Sequence, residues 1–254
     1  MNSVATATIL QIDPQSFESG IAGAPVARLS GLTVAEPAFP HALAQAVTSW
    51  IETGVWLVSC RLPAGQDGLR ETLIAAGFLP IETLVTFHQA ARPPARSVHG
   101  IALAAADDAE ACVDLALAAF TFDRLHRDAR VPGAVADTIR AAWVRNDLNG
   151  RAAAPLVARR DGRVVGFNLC LLRGRTAVID LIAVDSEHRG QGLGADLIEA
   201  AFGHFGETVD GIRVGTQAEN PASIRLYEKT GFNVETRETT LHWVNPGVTP
   251  DLGG

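Results

Sequence analysis

Ala177-Val178-Ile179-Asp180-Leu181-Ile182-Ala183-Val184, followed by His188-Arg189-Gly190-Gln191-Gly192-Leu193-Gly194, is the stretch on which the reading of this chain turns. The first part is apolar and rich in β-branched residues, which predicts a buried strand. After the turn, Leu193, Leu197, Ile198, Ala201, Phe202 and Phe205 recur at three- and four-residue steps, the period of one buried helix face. A strand therefore feeds a helix through a turn with little side-chain bulk. The first backbone N–H groups of such a helix have no intrahelical partner, and the aligned peptide dipoles put partial positive charge there. Glycines at 190, 192 and 194 let a ligand approach those amides, and Arg189 adds a charge, so a pyrophosphate is the natural occupant.

Two nucleotide motifs compete for these residues. A Walker loop needs Gly-Lys-Ser/Thr after the turn, and a dinucleotide fingerprint spaces its glycines GxGxxG, whereas here they read GxGxG. Neither fits. A turn that only connects a strand to a helix remains the plain alternative.

Outward from that stretch, the chain predicts a helix over 33–51, a strand over 54–60, a helix over 68–76 and a strand over 81–88, after a loose N-terminal segment over 1–30. Ala91-Arg92-Pro93-Pro94-Ala95-Arg96-Ser97 reads as a linker, since Pro-Pro stops regular structure. Helices over 106–120 and 137–149 follow, separated by the polar run from Thr121 to Pro132. Strands over 155–160 and 164–172 are joined by Asp161-Gly162, a hairpin signal, and 176–184 adds a third antiparallel strand. Then come the central helix, a strand over 211–217, a helix over 221–229 capped by Asn220 and ended by Gly231, and a strand over 232–244. Gly77-Phe78 and Thr86-Phe87-His88 match Gly231-Phe232 and Thr240-Leu241-His242 at a constant offset, a faint repeat in which Leu73 stands where Tyr227 stands in the second copy. If the repeat is real, the first half is scaffold and substrate wall; otherwise two unrelated Gly-Phe turns share a spacing.

Composition bounds the rest. The 254 residues are 47% hydrophobic, enough for one large or two modest domains with a substantial core. Cys60, Cys112 and Cys170 are odd in number and far apart, which fits neither a disulfide framework nor metal-ligand spacing, so reduced thiols, no metal and a cytoplasmic setting are expected. No signal-peptide pattern or long apolar run is seen, and a net charge of −7 argues against nucleic acid, leaving a small-molecule partner and no membrane. A homodimer is compatible with the sequence.

Arg189-Gly190-Gln191-Gly192-Leu193-Gly194 behind Leu181-Ile182-Ala183-Val184 resembles the acetyl-CoA loop of the GNAT-type N-acetyltransferases, whose Arg/Gln-x-x-Gly-x-Gly/Ala pattern falls on Arg189, Gly192 and Gly194. A second block, Asn220 to Phe232, resembles the family's Asn-x-x-Ala-x-x-Leu-Tyr-x-x-x-Gly-Phe signature, with Ser223 in place of alanine. The resemblance covers about Val98 to Val244. It implies an α/β (α+β) GNAT fold, a mixed central sheet flanked by helices, preceded by a partial GNAT-like half. The division is then 1–92 for that half, 93–97 linker, 98–245 catalytic domain and 246–254 a disordered tail.

The resemblance also implies direct acetyl transfer from acetyl-CoA to a primary amine. Backbone groups of Ile182, Ala183 and Val184 would pair with pantetheine, the loop Arg189, Gly190, Gln191, Gly192, Leu193, Gly194 would hold the phosphates, and Asn220 and Ser223 would touch the arm. Tyr227, the only tyrosine, would be the general acid toward sulfur, its alternative an aromatic packed beside Leu226. Asp180, odd in an apolar strand, would face the cleft as base or ammonium partner, or be a partnered structural aspartate. His188 would assist phosphate binding or cap the loop, in preference to acting as a base, and His242 reads as surface or core. Phe120 to Pro132, with Trp143 downstream, is similar to family members that acetylate a nucleotide-linked (TDP) deoxyaminosugar. The substrate set expected there is Arg124, His126 and Arg130, with Arg127 a further candidate for the diphosphate, and a solvated charged loop as the alternative. Another small amine (amino acid, polyamine or aminoglycoside) or a non-catalytic acyl-CoA sensor are the competing functions.

Overall fold

The computed structural model describes residues 10–32, 38–120 and 122–252. In chain order the elements are β1 (Gln11–Pro14), α1 (Ser16–Ala22), β2 (Val26–Ser30), α2 (Phe39–Glu52), β3 (Leu57–Pro63), α3 (Asp67–Ala75), β4 (Leu79–Ala90), β5 (Ile101–Leu103), α4 (Ala109–Ala119), α5 (Gly133–Asn146), β6 (Ala154–Arg160), β7 (Arg163–Arg173), β8 (Thr176–Val184), α6 (Leu193–Phe205), β9 (Gly211–Gln217), α7 (Pro221–Lys229) and β10 (Asn233–Val244). The helix expected over 33–51 begins at Phe39, with Pro40 at its first turn; its first five positions lie outside the described residues. The strand expected over 54–60 starts three residues later, because Gly54, at φ +68°, closes the turn after α2.

Two compact units result, and their boundary is not the Pro-Pro segment. The first contains residues 1–83, 128–135 and 238–254, the second 84–127 and 136–237. In the first, β1 and β2 pair antiparallel, β2 and β3 parallel, and β3 pairs antiparallel with the end of β10, Leu57 opposite Val244. Its core gathers Leu43, Trp50, Leu73, Phe78 and Trp243. The tail expected to be disordered is tied to this unit as far as Asp251, whose N–H donates to Ala22 O at 2.9 Å. In the second unit the order is β4 (from Leu84), β9, β8, β7, β6, β5, parallel only between β8 and β9. The Asp161-Gly162 turn has φ +49° and +78°, the left-handed pair that a two-residue hairpin needs.

The faint sequence repeat is far stronger in three dimensions. Phe39 to Leu193, Leu57 to Gly211, Asp67 to Pro221 and Leu79 to Asn233, the starts of four matched elements, are each 154 positions apart. Gly77 and Gly231 both sit near φ +94° to +95°, and Phe78 N–H to Leu73 O and Phe232 N–H to Tyr227 O are both 3.0 Å. The final strand of each copy pairs with the middle strand of the other: Leu57 with Val244, and Gly211 with Ala90. That exchange is why a cut at 93–97 does not separate two compact bodies.

One difference between the copies sets up the site. β2 pairs with β3 over Val26 to Leu29, nearly its whole length, whereas β8 pairs with β9 only from Thr176 to Ile179 and runs on to Val184. Past Ile179 the second copy is a fork.

Candidate active site

The fork begins where the β7–β8 register slips: Leu169 faces Leu181 while Cys170 faces Ile179, so Asp180 is the extra residue of a bulge. A bulge adds local twist, which turns β8 away from β9 and frees one backbone edge of Ile182, Ala183 and Val184. On the other edge these residues stay paired with β7.

The turn after β8 is built to hold backbone amides open. Asp185 caps it, accepting from Glu187 N–H at 2.8 Å; that bond, with His188 beside it, holds the Asp185 carboxyl below the usual range. Arg189 donates Nε to Val184 O at 3.1 Å and so pins the turn to the end of β8. Gly190 (φ +76°) and Gly192 (φ +85°) are left-handed, a conformation other residues resist. Gly194 packs closely on α7: a Cβ there would lie 3.0 Å from Leu226 Cδ2, so a larger residue would have to shift that side chain. The first α6 amide bonded back to the turn is that of Asp196, 3.0 Å from Gly192 O, so the amides of Leu193, Gly194 and Ala195 point outward.

Across the fork, Asn220 caps α7 by accepting from Ser223 N–H at 3.2 Å. Tyr227 is 2% exposed, its ring 5.5 Å from that of Phe87 and 6.0 Å from that of Phe232. Burial pushes its phenol above the usual value, a hydrogen bond with the Ser223 side chain opposing. Two cavities meet at this ring. The larger, about 960 Å³, is lined by Ile182 to Val184, Arg189, Gly190, Gly192 to Ala195, Asn220, Ser223 and Tyr227. The smaller, about 120 Å³, is lined by Phe122, Asp123, Arg140, Asp180, Thr216 and again Tyr227. Of the expected loop residues, Gln191 lines neither; its side chain donates to Glu187 O at 3.2 Å.

The residues expected to meet an acceptor are not gathered here. His126 is held between Asp123 and Asp137, its Nε2 2.9 Å from Asp137 Oδ1. Arg124 lies 5.8 Å from the Trp143 ring, and Arg127 is 3.6 Å from Glu219. Arg130 belongs to the first unit, bonded to Asp128 at 2.8 Å and donating to His242 O at 3.0 Å. His242 is a core residue, bonded through Nδ1 to Asp128 at 3.0 Å. Arg124, His126 and Arg130 line neither cavity. Asp180, expected as a base or a partnered aspartate, lines the smaller one and is paired with Arg151 at 2.7 Å.

An amide-lined turn on a helix N-terminus, a forked pair of parallel strands and a buried phenol between two cavities suit a phosphate-bearing thioester donor and a small acceptor. The family model for the acetyltransferase (GNAT) family matches residues 110–232. These residues are a GNAT acetyltransferase domain. The chain that carries this GNAT domain is similar to several curated proteins. The spore coat polysaccharide biosynthesis protein SpsD of Bacillus subtilis is 38% identical over 50% of this chain and 45% of that protein. The dTDP-fucosamine acetyltransferase of Escherichia coli is 28% identical over 74% of this chain and 80% of that one. The chain thus spans less than half the length of SpsD. Among solved structures, a GCN5-related N-acetyltransferase from Sphaerobacter thermophilus shares the fold with a TM-score of 0.66 at 17% identity, over 94% of this chain and 78% of that one.

Sequence reasoning passed over four residues that border the GNAT site or back onto it. Arg140 is 4% exposed, paired with Asp123 at 3.0 Å, stacked 4.6 Å from the Phe120 ring and 4.9 Å from the Trp143 ring, with its Nε unpartnered. Phe122 lines both cavities, and Asp147 and Arg151 stand behind Asp180. Arg140 with Trp143, three apart on one helix face, was a legible cation–π signal. Asp147 carried none, since its burial follows from the turn that ends α5.

Proposed function

We propose that the GNAT domain transfers the acetyl group of acetyl-CoA directly to a primary amine, the acceptor being the amino group of a nucleotide-linked (TDP) deoxyaminosugar. The observation that carries the reading is the fork: β8 leaves β9 at the Asp180 bulge, and Tyr227 closes the gap between a large cavity with an open-amide turn and a small cavity with polar walls. In this reading the amides from Gly190 to Gly194 hold the donor's diphosphate, and Arg189 shapes the turn that presents them. The free edge of Ile182, Ala183 and Val184 pairs with pantetheine as an added strand would, and one of its N–H groups meets the thioester oxygen. Asn220 and Ser223 flank the arm.

The amine nitrogen attacks the carbonyl carbon, a C–N bond forms and the C–S bond breaks. Tyr227 donates its hydroxyl proton to the departing sulfur. Its raised pKa keeps it protonated and makes phenolate costly, so the proton crosses only as another replaces it. The acceptor class is supported by the two sugar-related relatives, one of them a dTDP-fucosamine acetyltransferase by name. Contacts to it fall in this reading to the walls of the smaller cavity, Phe122 and Arg140 foremost. The cytoplasm is the compartment taken here, where acetyl-CoA is used and the three buried thiols stay reduced.

A thiol-release assay with acetyl-CoA tests this over dTDP-linked amino sugars, amino acids, polyamines and aminoglycosides. Turnover concentrated on the amino sugars is the expected result. Acetyl-CoA bound without thiol release for any amine would make the chain a sensor.

A further inference from the structure

The smaller cavity beside Tyr227 encloses about 120 Å³. A void of roughly 150 Å³ takes up one benzene molecule, so this one holds about one six-membered ring and has no room for a nucleotide as well. Three charged side chains among the described residues line it, Asp123, Arg140 and Asp180, and each meets its counter-charge within the protein. Asp123 pairs with Arg140 at 3.0 Å and with His126, and Asp180 pairs with Arg151 at 2.7 Å. Among the described residues this wall therefore offers no spare cation for a carboxylate or a diphosphate, whose burial without one is costly. Its other polar groups, Thr216 and Gln217 among them, are uncharged.

The wall is held from behind. Arg140 stacks on the rings of Phe120 and Trp143, at 4.6 and 4.9 Å, and Asp123 also accepts from Leu125 N–H at 2.9 Å. These contacts anchor the chain next to Phe122, which lines both cavities yet stays 40% exposed. An aromatic face left open beside a ring-sized space suits the C–H face of a saturated ring, and uncharged hydroxyls and amides suit the ring's oxygens. A free amino acid brings a carboxylate that this wall cannot meet, and a linear polyamine has no face to lay on Phe122.

We infer that the acceptor is recognised by its amine-bearing ring alone. A hydroxylated six-membered ring, uncharged apart from its amine, enters the smaller cavity against Phe122 with the amine toward Tyr227; the group on its anomeric carbon stays outside and is not read. The inference rests on the transferase reading and goes beyond it: the nucleotide of a sugar nucleotide is carried rather than recognised, so a simple glycoside of the same amino sugar is an acceptor too. Phe122 is the specificity-determining residue.

The test measures thiol release from acetyl-CoA with dTDP-fucosamine, its UDP counterpart, the methyl glycoside of the same sugar, alanine and spermidine. The three sugars should have kcat/KM values within about tenfold of one another, and alanine and spermidine should fall at least about 100-fold below them. A methyl glycoside that trails the dTDP sugar by more than about tenfold overturns the inference and leaves acetyl transfer to a sugar nucleotide standing. Alanine or spermidine matching the sugars overturns it as well. Phe122→Ala should raise KM for all three sugars about tenfold or more with kcat within about threefold, and Phe122→Tyr, which keeps the aromatic face, should restore the parent's KM. An unchanged KM in Phe122→Ala removes Phe122 from recognition and overturns the inference. If no amine releases thiol, the transferase reading fails instead, and calorimetry of the methyl glycoside against the chain saturated with CoA decides the ring claim: binding that Phe122→Ala weakens supports it, and no binding overturns it.

Discussion

Replacing Tyr227 by phenylalanine removes one oxygen from a ring packed against Phe87 and Phe232, and the consequences for stability and for catalysis separate cleanly. The ring contacts stay. What the fold loses is the hydroxyl's bond with the Ser223 side chain, worth about 1 kcal/mol for an ordinary internal hydrogen bond. Truncation to alanine would by contrast empty a buried aromatic site at a cost of about 3–5 kcal/mol. Catalysis loses the only phenol in the chain, and a positioned proton donor contributes about 10²–10⁴-fold, which is about 3–5 kcal/mol of barrier. Stopped thiol-release measurements with saturating acetyl-CoA should therefore show kcat down by at least about 100-fold, while calorimetric affinity for acetyl-CoA stays within about twofold. Because burial raises the phenol, the parent should also show no alkaline limb from this group through about pH 9. A Tyr227→Phe enzyme turning over within about threefold of its parent would refute the donor role and leave Tyr227 as packing.

Four further outcomes follow from other contacts. Gly192→Val forces a β-branched residue to φ +85°, a strain of about 1–3 kcal/mol concentrated in the amide turn, so acetyl-CoA affinity should fall at least about tenfold by calorimetry while circular dichroism is unchanged. Asp147→Asn should stabilise the chain at neutral pH. Its carboxyl releases a proton near 3.8 when unfolded and about 6 when folded, so the parent's stability from this group is complete below about pH 4 and fades as pH rises through about 6. The melting midpoint of the variant should exceed the parent's near pH 8 and converge with it toward pH 4. Arg92→Ala removes the guanidinium that grips Glu199 at 2.6 and 2.9 Å and leaves its 5% exposed carboxylate only the Ala95 N–H at 2.7 Å, which should cost about 3–5 kcal/mol in denaturant unfolding. Arg92 holds the Glu199 carboxyl below its usual range, so the parent's advantage is present above about pH 4.5 and lost as acid protonates it. Finally, Arg140→Leu should raise the acceptor KM about tenfold or more, whereas Arg124→Ala, which lines neither cavity, should leave it within about twofold, as steady-state kinetics will show.

How far the sequence reached can be judged from particular elements. β9 and α7 appear at the bounds expected, 211–217 and 221–229, because glycine, proline and an asparagine cap mark their ends with local chemistry. The open-amide turn was legible for the same reason: its glycines are demanded by φ at 190 and 192 and favoured by the closeness of Leu226 at 194. The fork was not, since a bulge at Asp180 depends on the register of β7 against β8, which no single strand encodes. Nor was the exchange that pairs Leu57 with Val244 and Gly211 with Ala90, which is a property of two distant segments together. Arg124, His126 and Arg130 were expected to meet the acceptor because the run from Phe120 to Pro132 resembles that of amino-sugar acetyltransferases and guanidinium forks suit a diphosphate. In the fold, His126 is engaged by Asp123 and Asp137, and Arg130 by Asp128, so these two already have partners. Charge in a sequence says little about whether a counter-ion waits beside it.

The central claim, that the turn after β8 and the fork beside it hold acetyl-CoA, is tested most directly by a crystal structure of the chain grown with that compound. The account predicts phosphate oxygens within hydrogen-bond reach of the Gly190 to Gly194 amides and the thioester lodged between β8 and β9 against Tyr227. Acetyl-CoA bound elsewhere, or a turn that stays vacant in crystals saturated with it, would contradict the account.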